Sequence, residues 1–194
     1  KEFARVYKRL GVTLEEGGES RYNSMIPNAI QLLEKAGLTT DSDGATTVFL
    51  EGHSFPLIVK KSDGGFGYDS TDIAAIHHRL KTLGVDWVVY VTDLGQAEHF
   101  HMCFEAAEKA GWTSASGRLC HVGFGVVQGE DGKRFKTRSG ETVRLVDLLD
   151  ESVTRMEKSL KDRVVEGKCA LSPDEVKAAA EKIGYGAVKY ADLH

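Results

Sequence analysis

The chain is poor in cysteine, has no long apolar run and does not begin with methionine. Its three cysteines, Cys103, Cys120 and Cys169, are scattered, and no two of them have the spacing of metal ligands. This usage predicts neither disulfides nor a zinc site and favours the reducing cytosol. The missing apolar run excludes a membrane span, and the polar start KEFARVYKRL is unlike a signal peptide. Because that start looks like the middle of a helix, we expect a piece of a longer protein.

Charge of one sign does not dominate either. The net charge is −4 over 194 residues, of which 41% are hydrophobic and 28% are charged. These values are typical of a soluble globular protein with one domain, or with one domain and an appendage. Contact with nucleic acid would therefore require a local basic patch or segments outside this chain.

The first third of the chain predicts two helices and a hairpin. Apolar residues recur at helical spacing in residues 1–10, and residues 27–36 have Pro in the first turn. Two β-like runs, residues 45–51 and 55–60, are joined by a short polar link and read as a hairpin. His53 lies at its tip, where we expect a turn residue rather than a ligand.

The middle of the chain alternates helix and strand. The pattern predicts helices at about 71–83 and 97–110, and strands at 85–92 and 119–127. The run VDWVVYVT lacks strict alternation, which is typical of a strand buried on both faces. Short links between these elements imply parallel strands joined by helical crossovers, and so an α/β fold.

The last part of the chain predicts two more helices, at about 143–160 and 173–183. Ser172, Pro173 and the acidic residues after them agree with helix-start chemistry. We expect the Gly-Tyr-Gly at 184–186 to break the second helix.

A basic segment follows the strand at 119–127 and precedes a helix. Within six residues it contains Lys133, Arg134, Lys136 and Arg138. A mobile cationic loop between a strand and a helix is a common way to present charge to phosphates. A solvated basic turn has the same composition, and the residues alone leave both interpretations open.

Three polar side chains are placed where α/β sheets bind ligands, beyond the carboxyl ends of strands. Tyr68 and Asp72 flank a predicted helix start, and Gln96 follows the strand at 85–92. A carboxylate accepts a guanidinium through two parallel hydrogen bonds, so the three could form a cation site. Asp72 could equally be a helix cap, and Gln96 a surface loop residue.

Two further positions have both a functional and a structural explanation. His99, in the first turn of a helix, would reach a ribose or phosphate if it faces a cleft, and would otherwise be an ordinary exposed residue. Gly123 and Gly125 would let a planar ring lie against the strand, or would let the strand pack closely on a helix.

Several long blocks, in order, resemble the arginyl-tRNA synthetases, a family of class I aminoacyl-tRNA synthetases. They cover about residues 20–194 and read GGFGYDSTDIAAI, VDWVVYVTDLGQAEHF, HVGFGVVQGEDGKRFKTRSGETVRLVDLLDE and YGAVKYADL. Consecutive blocks are more specific than one short motif. The resemblance implies an enzyme that uses ATP and Mg²⁺ to convert L-arginine to arginyl-adenylate and transfers it to tRNA(Arg).

The resemblance also implies a fold: the second half of a class I Rossmann-like parallel sheet with flanking helices. Residues 1–66 would be the end of the connecting insertion, with its hairpin and helix. Residues 67–160 would be the second half of the nucleotide-binding fold, and residues 161–194 would lead towards an anticodon-binding domain.

Site residues follow from the same resemblance. Tyr68, Asp72 and Gln96 match positions that hold arginine, with Asp72 on the guanidinium. The positions implied for ATP are His99, Gly123, Phe124, Gly125, Val126, Lys133, Arg134 and Lys136. In the loop called KMSKS, Arg134 replaces the first lysine and Thr137 the second, which leaves Lys136 and Arg138 as the expected catalytic cations. No protein metal site is expected.

The first-half signature of the class, HIGH, does not occur in this sequence. We therefore expect a truncated ligase whose isolated chain is weak or inactive. A non-catalytic module that binds arginine or a nucleotide is the alternative, and a different α/β nucleotidyltransferase is a third. A half-sheet would also expose an edge and an apolar face, through which the chain could self-associate.

Overall fold

The structure is a computed structural model that describes residues 2–114, 117–125 and 144–193. The described residues between 16 and 132 form one compact unit, and those in 1–15 and 133–194 form another. None of the described helices combines the length and the apolar character that crossing a membrane requires. The division at residues 66 and 160 that the resemblance implies stays a prediction.

The unit between residues 16 and 132 contains two small sheets and the helices packed on them. Its helices are a 3₁₀ helix Glu19–Met25, α2 (Ile26–Lys35), α3 (Tyr68–His77) continued by a π-helical segment His78–Thr82, a 3₁₀ turn Leu94–Gln96 and α4 (Ala97–Lys109). Its strands are β1 (Thr39–Ser42), β2 (Ala45–Val48), β3 (Leu57–Lys60), β4 (Trp87–Asp93) and β5 (Arg118–Phe124).

The first sheet is antiparallel with the order β1-β2-β3. The pairing of β2 with β3 confirms the predicted hairpin, and His53 lies in the loop between them. Strand β1 was not predicted, because its sequence TTDS has no apolar alternation. It pairs with β2 across a tight turn in which Asp43 and Gly44 both have positive φ, 51° and 78°. Such a turn matches the twist of the two strands it joins.

Helix α3 begins at Tyr68, three residues earlier than the sequence pattern predicts. Two side chains of its first turn bind the backbone of β3, which explains the early start. The buried Ser70 donates from Oγ to the carbonyl of Val59 at 2.7 Å, and Asp69 Oδ2 accepts from the backbone N–H of Ile58 at 2.6 Å. These bonds fix the helix start against the small sheet.

The second sheet consists of β4 and β5, which are parallel, with Trp87 opposite Arg118 and Asp93 opposite Phe124. Helix α4 connects them, as the predicted crossover requires. The mixed α/β class with a parallel pair is therefore confirmed.

The expected burial of β4 on both faces is wrong for this chain. Its side chains alternate: Tyr90 is buried against Phe100 and Phe104 of α4, whereas Trp87 and Val91 on the other face are 60% and 62% exposed. Helices cover only one face of the pair within the described residues.

The described residues of the other unit form three helices. They are α1 (Glu2–Leu10), α5 (Leu145–Val165) and α6 (Pro173–Leu193). Arg9 of α1 donates to Asp150 of α5 at 2.6 Å and to Tyr185 of α6 at 3.0 Å. The predicted helix at 1–10 is confirmed, and the two later ones are longer than predicted.

Helix α6 runs through the Gly-Tyr-Gly at 184–186, so the expected break is wrong. A Cβ added at the buried Gly184 would lie 3.0 Å from the backbone nitrogen of Val153. The glycine is thus explained by the close approach of α5 and α6 rather than by a helix end.

Candidate functional site

A cluster of interacting charges lies between the starts of α3 and α4. Asp69 and Asp72 are three residues apart on one face of α3. The ring of His99, in the first turn of α4, lies between them. Its Nε2 is 2.8 Å from Asp72 Oδ2, and its Nδ1 is 3.3 Å from Asp69 Oδ1. All three side chains are about three-quarters buried, with exposures of 23% for His99 and 26% for each carboxylate.

This geometry favours a charged imidazole. A neutral ring donates from one nitrogen only, so one carboxylate would face a lone pair, whereas the imidazolium donates to both. Accordingly, hydrogen bonds to Asp69, then Asp72, then Cys103 raise the pKa of His99 to about 12. Burial raises the pKa of the Cys103 thiol, which lies 3.8 Å from Nε2.

Tyr90 of strand β4 lies near Asp72. Burial raises the pKa of the Tyr90 phenol, and the nearby charge of Asp72 acts in the same direction. Arg79 donates to the Tyr90 hydroxyl, and its guanidinium lies over the rings of Tyr90 and Tyr22, 4.9 Å and 5.4 Å from their centres. The surroundings of Asp72 therefore include aromatic rings and hydroxyl groups as well as charge.

Tyr68 lines an open pocket of about 780 Å³ next to this cluster. Its side chain is 77% exposed. Asp69 is shared between the pocket and the His99 cluster. The other residues that line the pocket are Glu19, Asn23, Ile26, Ile58, Lys61, Phe66, Gly67 and Thr71.

Gln96 lies at the carboxyl end of β4, the position that a ligand site in an α/β sheet would use. Asp93 accepts from the N–H of Gly95 at 2.9 Å and so closes the 3₁₀ turn that carries Gln96 to the start of α4. Gln96 is exposed and precedes His99 by three residues. Among the described residues, no hydrogen bond joins Tyr68, Asp72 and Gln96, so their joint role stays a prediction.

The cap interpretation of Asp72 is wrong. The residue preceding α3 is Gly67, and Asp72 lies in the second turn of the helix with its carboxylate on His99.

Leu94 occupies the space beside Gly123. A Cβ at Gly123 would lie 2.6 Å from Leu94 Cδ1 and 3.0 Å from Leu94 Cα, so the glycine lets β5 approach the turn after β4. This supports the close-packing explanation, although against a turn rather than a helix. Among the described residues, no atom lies within 4 Å of such a Cβ at Gly125, and Phe124 is 53% exposed.

The remaining predicted site residues lie outside the described residues. They are Val126, Lys133, Arg134, Lys136 and Arg138.

Comparison with known proteins identifies the family. The family model described as "tRNA synthetases class I (R), catalytic domain" matches residues 1–194. The chain belongs to the class I arginyl-tRNA synthetase family. The resemblance seen in the sequence blocks is therefore confirmed.

Named members of the arginyl-tRNA synthetase family match at high identity. The chain is 53% identical to the chloroplastic/mitochondrial arginine–tRNA ligase of Arabidopsis thaliana, over 99% of this chain and 30% of that protein. It is 48% identical to the arginine–tRNA ligase of a Cyanothece species, over 100% of this chain and 34% of that protein. The crystal structure of arginyl-tRNA synthetase from Plasmodium falciparum matches with a TM-score of 0.85 and 34% identity, over 99% of this chain and 31% of that one. The chain thus spans about a third of the length of these synthetases.

In this arginyl-tRNA synthetase fragment, the sequence did not predict that Asp69 contacts His99. The signal was present, since the two acids of DSTD are three residues apart and must share a helix face once the helix begins at Tyr68. Cys103, four residues after His99, was likewise seen only as a free thiol.

Proposed function

We propose that this chain carries the arginine-binding part of an arginine–tRNA ligase. The observation that carries the proposal is the contact of Asp72 with His99. It shows a three-quarters buried carboxylate already bonded to a planar, charged nitrogen donor at 2.8 Å. A guanidinium is also planar and charged, and it can bond both carboxylate oxygens at once. The names of the matched relatives, all arginine–tRNA ligases, support the same substrate.

In this proposal, Tyr68 and Gln96 complete the recognition of arginine. Tyr68 borders the pocket with an exposed ring, and Gln96 projects from the turn at the end of β4. The phenol of Tyr68 offers an aromatic ring face and a hydroxyl group, and the amide of Gln96 offers a carbonyl acceptor. Both can therefore bind the polar groups of an amino acid.

ATP with Mg²⁺ is the proposed second substrate, and tRNA(Arg) the third. The arginine carboxylate would attack the α-phosphorus in line, and positioning together with neutralisation of phosphate charge would lower the barrier. Lys136 and Arg138 are the proposed catalytic cations. Gly125 and Phe124 are the described nucleotide-site candidates that a ligand could reach. No group of three or more His, Cys, Asp or Glu in the described ranges could hold a metal ion, and Mg²⁺ would arrive with the nucleotide.

The proposal also covers self-association of the chain and its cellular compartment. The exposed apolar face of β4 supports self-association of the chain when it is alone. The three free cysteines support the cytosol as its compartment.

Arginine binding by the protein that carries this chain tests the proposal. Asp72→Asn keeps the size of the side chain and removes its charge, so we expect binding to weaken by about 1.5–3 kcal/mol, the contribution of a charged hydrogen bond. Asp86→Asn, at an exposed position of the same unit, is the matched control and should bind as the native protein does. Unchanged affinity in Asp72→Asn would refute the assignment, and binding without arginine-dependent ATP–pyrophosphate exchange would favour the non-catalytic module.

A further inference from the structure

Asp69 is connected to the proposed arginine-binding carboxylate through the ring of His99. The connection begins on strand β3, where the backbone N–H of Ile58 donates to Asp69 Oδ2 at 2.6 Å. The other oxygen of Asp69, Oδ1, lies 3.3 Å from Nδ1 of His99. The opposite nitrogen of the ring, Nε2, lies 2.8 Å from Asp72 Oδ2. A continuous series of polar contacts therefore leads from the β3 backbone to Asp72.

These contacts orient two planar groups that rotamer preferences leave free. The terminal torsions of aspartate and histidine are broad, so the side chain alone does not set the plane of its carboxylate or ring. His99 is held at both nitrogens, and Asp72 is held at one oxygen. An ionised carboxylate offers about four lone-pair sites, so the bond from His99 leaves room for a guanidinium that binds both oxygens. A carboxylate oriented in advance loses less freedom when the ligand binds.

Asp69 also sets the net charge of the cluster. An imidazolium beside Asp72 alone would form a neutral pair, which has no net charge to attract a cation. With Asp69 included, two carboxylates and one imidazolium sum to −1, which one monocationic side chain neutralises. Hydrogen bonding to Asp69, and then to Asp72, raises the pKa of His99 to about 12, so the ring stays charged at neutral pH.

The other titratable groups next to the cluster do not provide this negative charge. Cys103 Sγ of α4 lies 3.8 Å from Nε2 of His99, and Tyr90 of β4 is near the second carboxylate. Burial raises the pKa of both the thiol and the phenol, so both are uncharged at neutral pH. Arg79 donates to the phenol hydroxyl and, within the described residues, forms no ion pair with either carboxylate. The negative charge in excess of the imidazolium therefore comes from Asp69.

We propose that Asp69 is the positioning and charge-setting residue of the arginine site: anchored on β3, it holds the imidazolium of His99, which orients Asp72 for a guanidinium, and it keeps the cluster at a net charge of −1. The inference rests on the proposed function. Asp69 acts through His99, so its removal should change how arginine binding depends on pH, which the loss of a merely structural contact would not do.

Arginine binding as a function of pH, measured by calorimetry on the protein that carries this chain, tests the inference. In the native protein the affinity should vary little between mildly acidic and mildly alkaline pH, because His99 keeps its proton. Asp69→Asn keeps a carbonyl acceptor for Ile58 but removes the largest cause of the raised pKa of His99. It also leaves the cluster neutral while the ring is charged.

We expect arginine to bind Asp69→Asn roughly tenfold more weakly at mildly acidic pH, the effect of a unit charge several ångströms away in a partly buried site. The loss should shrink as the pH rises, because a ring that gives up its proton restores the charge of −1. His99→Gln has no ring proton to lose, so the double variant Asp69→Asn/His99→Gln should lack this pH dependence. Asp86→Asn, at an exposed position of the same unit, is the matched control and should follow the native protein at every pH.

Nitrogen NMR of the His99 ring in the native protein gives a second readout that does not depend on a variant folding. We expect both ring nitrogens to keep the chemical shifts of a protonated imidazole up to mildly alkaline pH. A ring that loses its proton within this range would overturn the inference, as would an affinity of Asp69→Asn that is unchanged or is lowered equally at every pH. Arginine binding by the native protein would still leave the proposed function standing. No arginine binding by the native protein would overturn both.

Discussion

Adding one methyl group to Gly123 tests how the turn after β4 is held. The new Cβ of Gly123→Ala would lie 2.6 Å from Leu94 Cδ1 and 3.0 Å from Leu94 Cα. The leucine side chain can rotate away, but its Cα belongs to the 3₁₀ turn that leads to Gln96. The substitution therefore has to push the turn and β5 apart.

The expected change in the free energy of unfolding is the difference of two effects. Overpacking a tight site costs about 1–3 kcal/mol, whereas replacing glycine by alanine in a strand gains about 0.5–1 kcal/mol. Gly125→Ala is the matched control, since no atom of the described residues lies within 4 Å of its added Cβ. We expect Gly123→Ala to be less stable than Gly125→Ala by about 1–3 kcal/mol, the overpacking cost alone.

Urea unfolding measures this difference through tryptophan fluorescence. Trp112 is 5% exposed and belongs to the same unit as Gly123, so its emission reports the unfolding of that unit. Equal midpoints for the two variants would show that Leu94 does not constrain the strand. Nucleotide binding by Gly125→Ala, measured alongside, separates a ligand role from a packing role because this variant should keep its stability.

Three other perturbations have expected outcomes. Gly184→Ala should destabilise the helical unit by about 1–3 kcal/mol relative to Gly186→Ala by circular dichroism, since only the first added Cβ meets a neighbouring backbone, 3.0 Å from Val153 N. Ser70→Ala should cost about 1–3 kcal/mol in urea unfolding, because a buried carbonyl of β3 loses its donor. The 194-residue chain alone should sediment above monomer mass, and Val91→Lys, which places a charge on the exposed face of β4, should lower that mass; a monomeric native chain would contradict the self-association.

The sequence predicted the elements whose signals are local. The stripes of α1, α2 and α4, the glycines that end them and the β-branched run of β4 each depend on neighbours within a few residues. The parallel pairing of β4 with β5 followed from the short links, since strands joined by a helix in one sheet run the same way.

The errors arise where contacts distant in sequence decide the structure. The polar strand β1 forms because its backbone pairs with β2. Helix α6 continues through Gly184 because the backbone of α5 packs closely against it there. The exposed face of β4 depends on what else covers the sheet, which a run of apolar residues does not encode. For the site, the pattern predicted that Asp72 pairs with a cation but missed that Asp69 and Asp72 both contact His99, because the true start of α3 was needed to align the two acids.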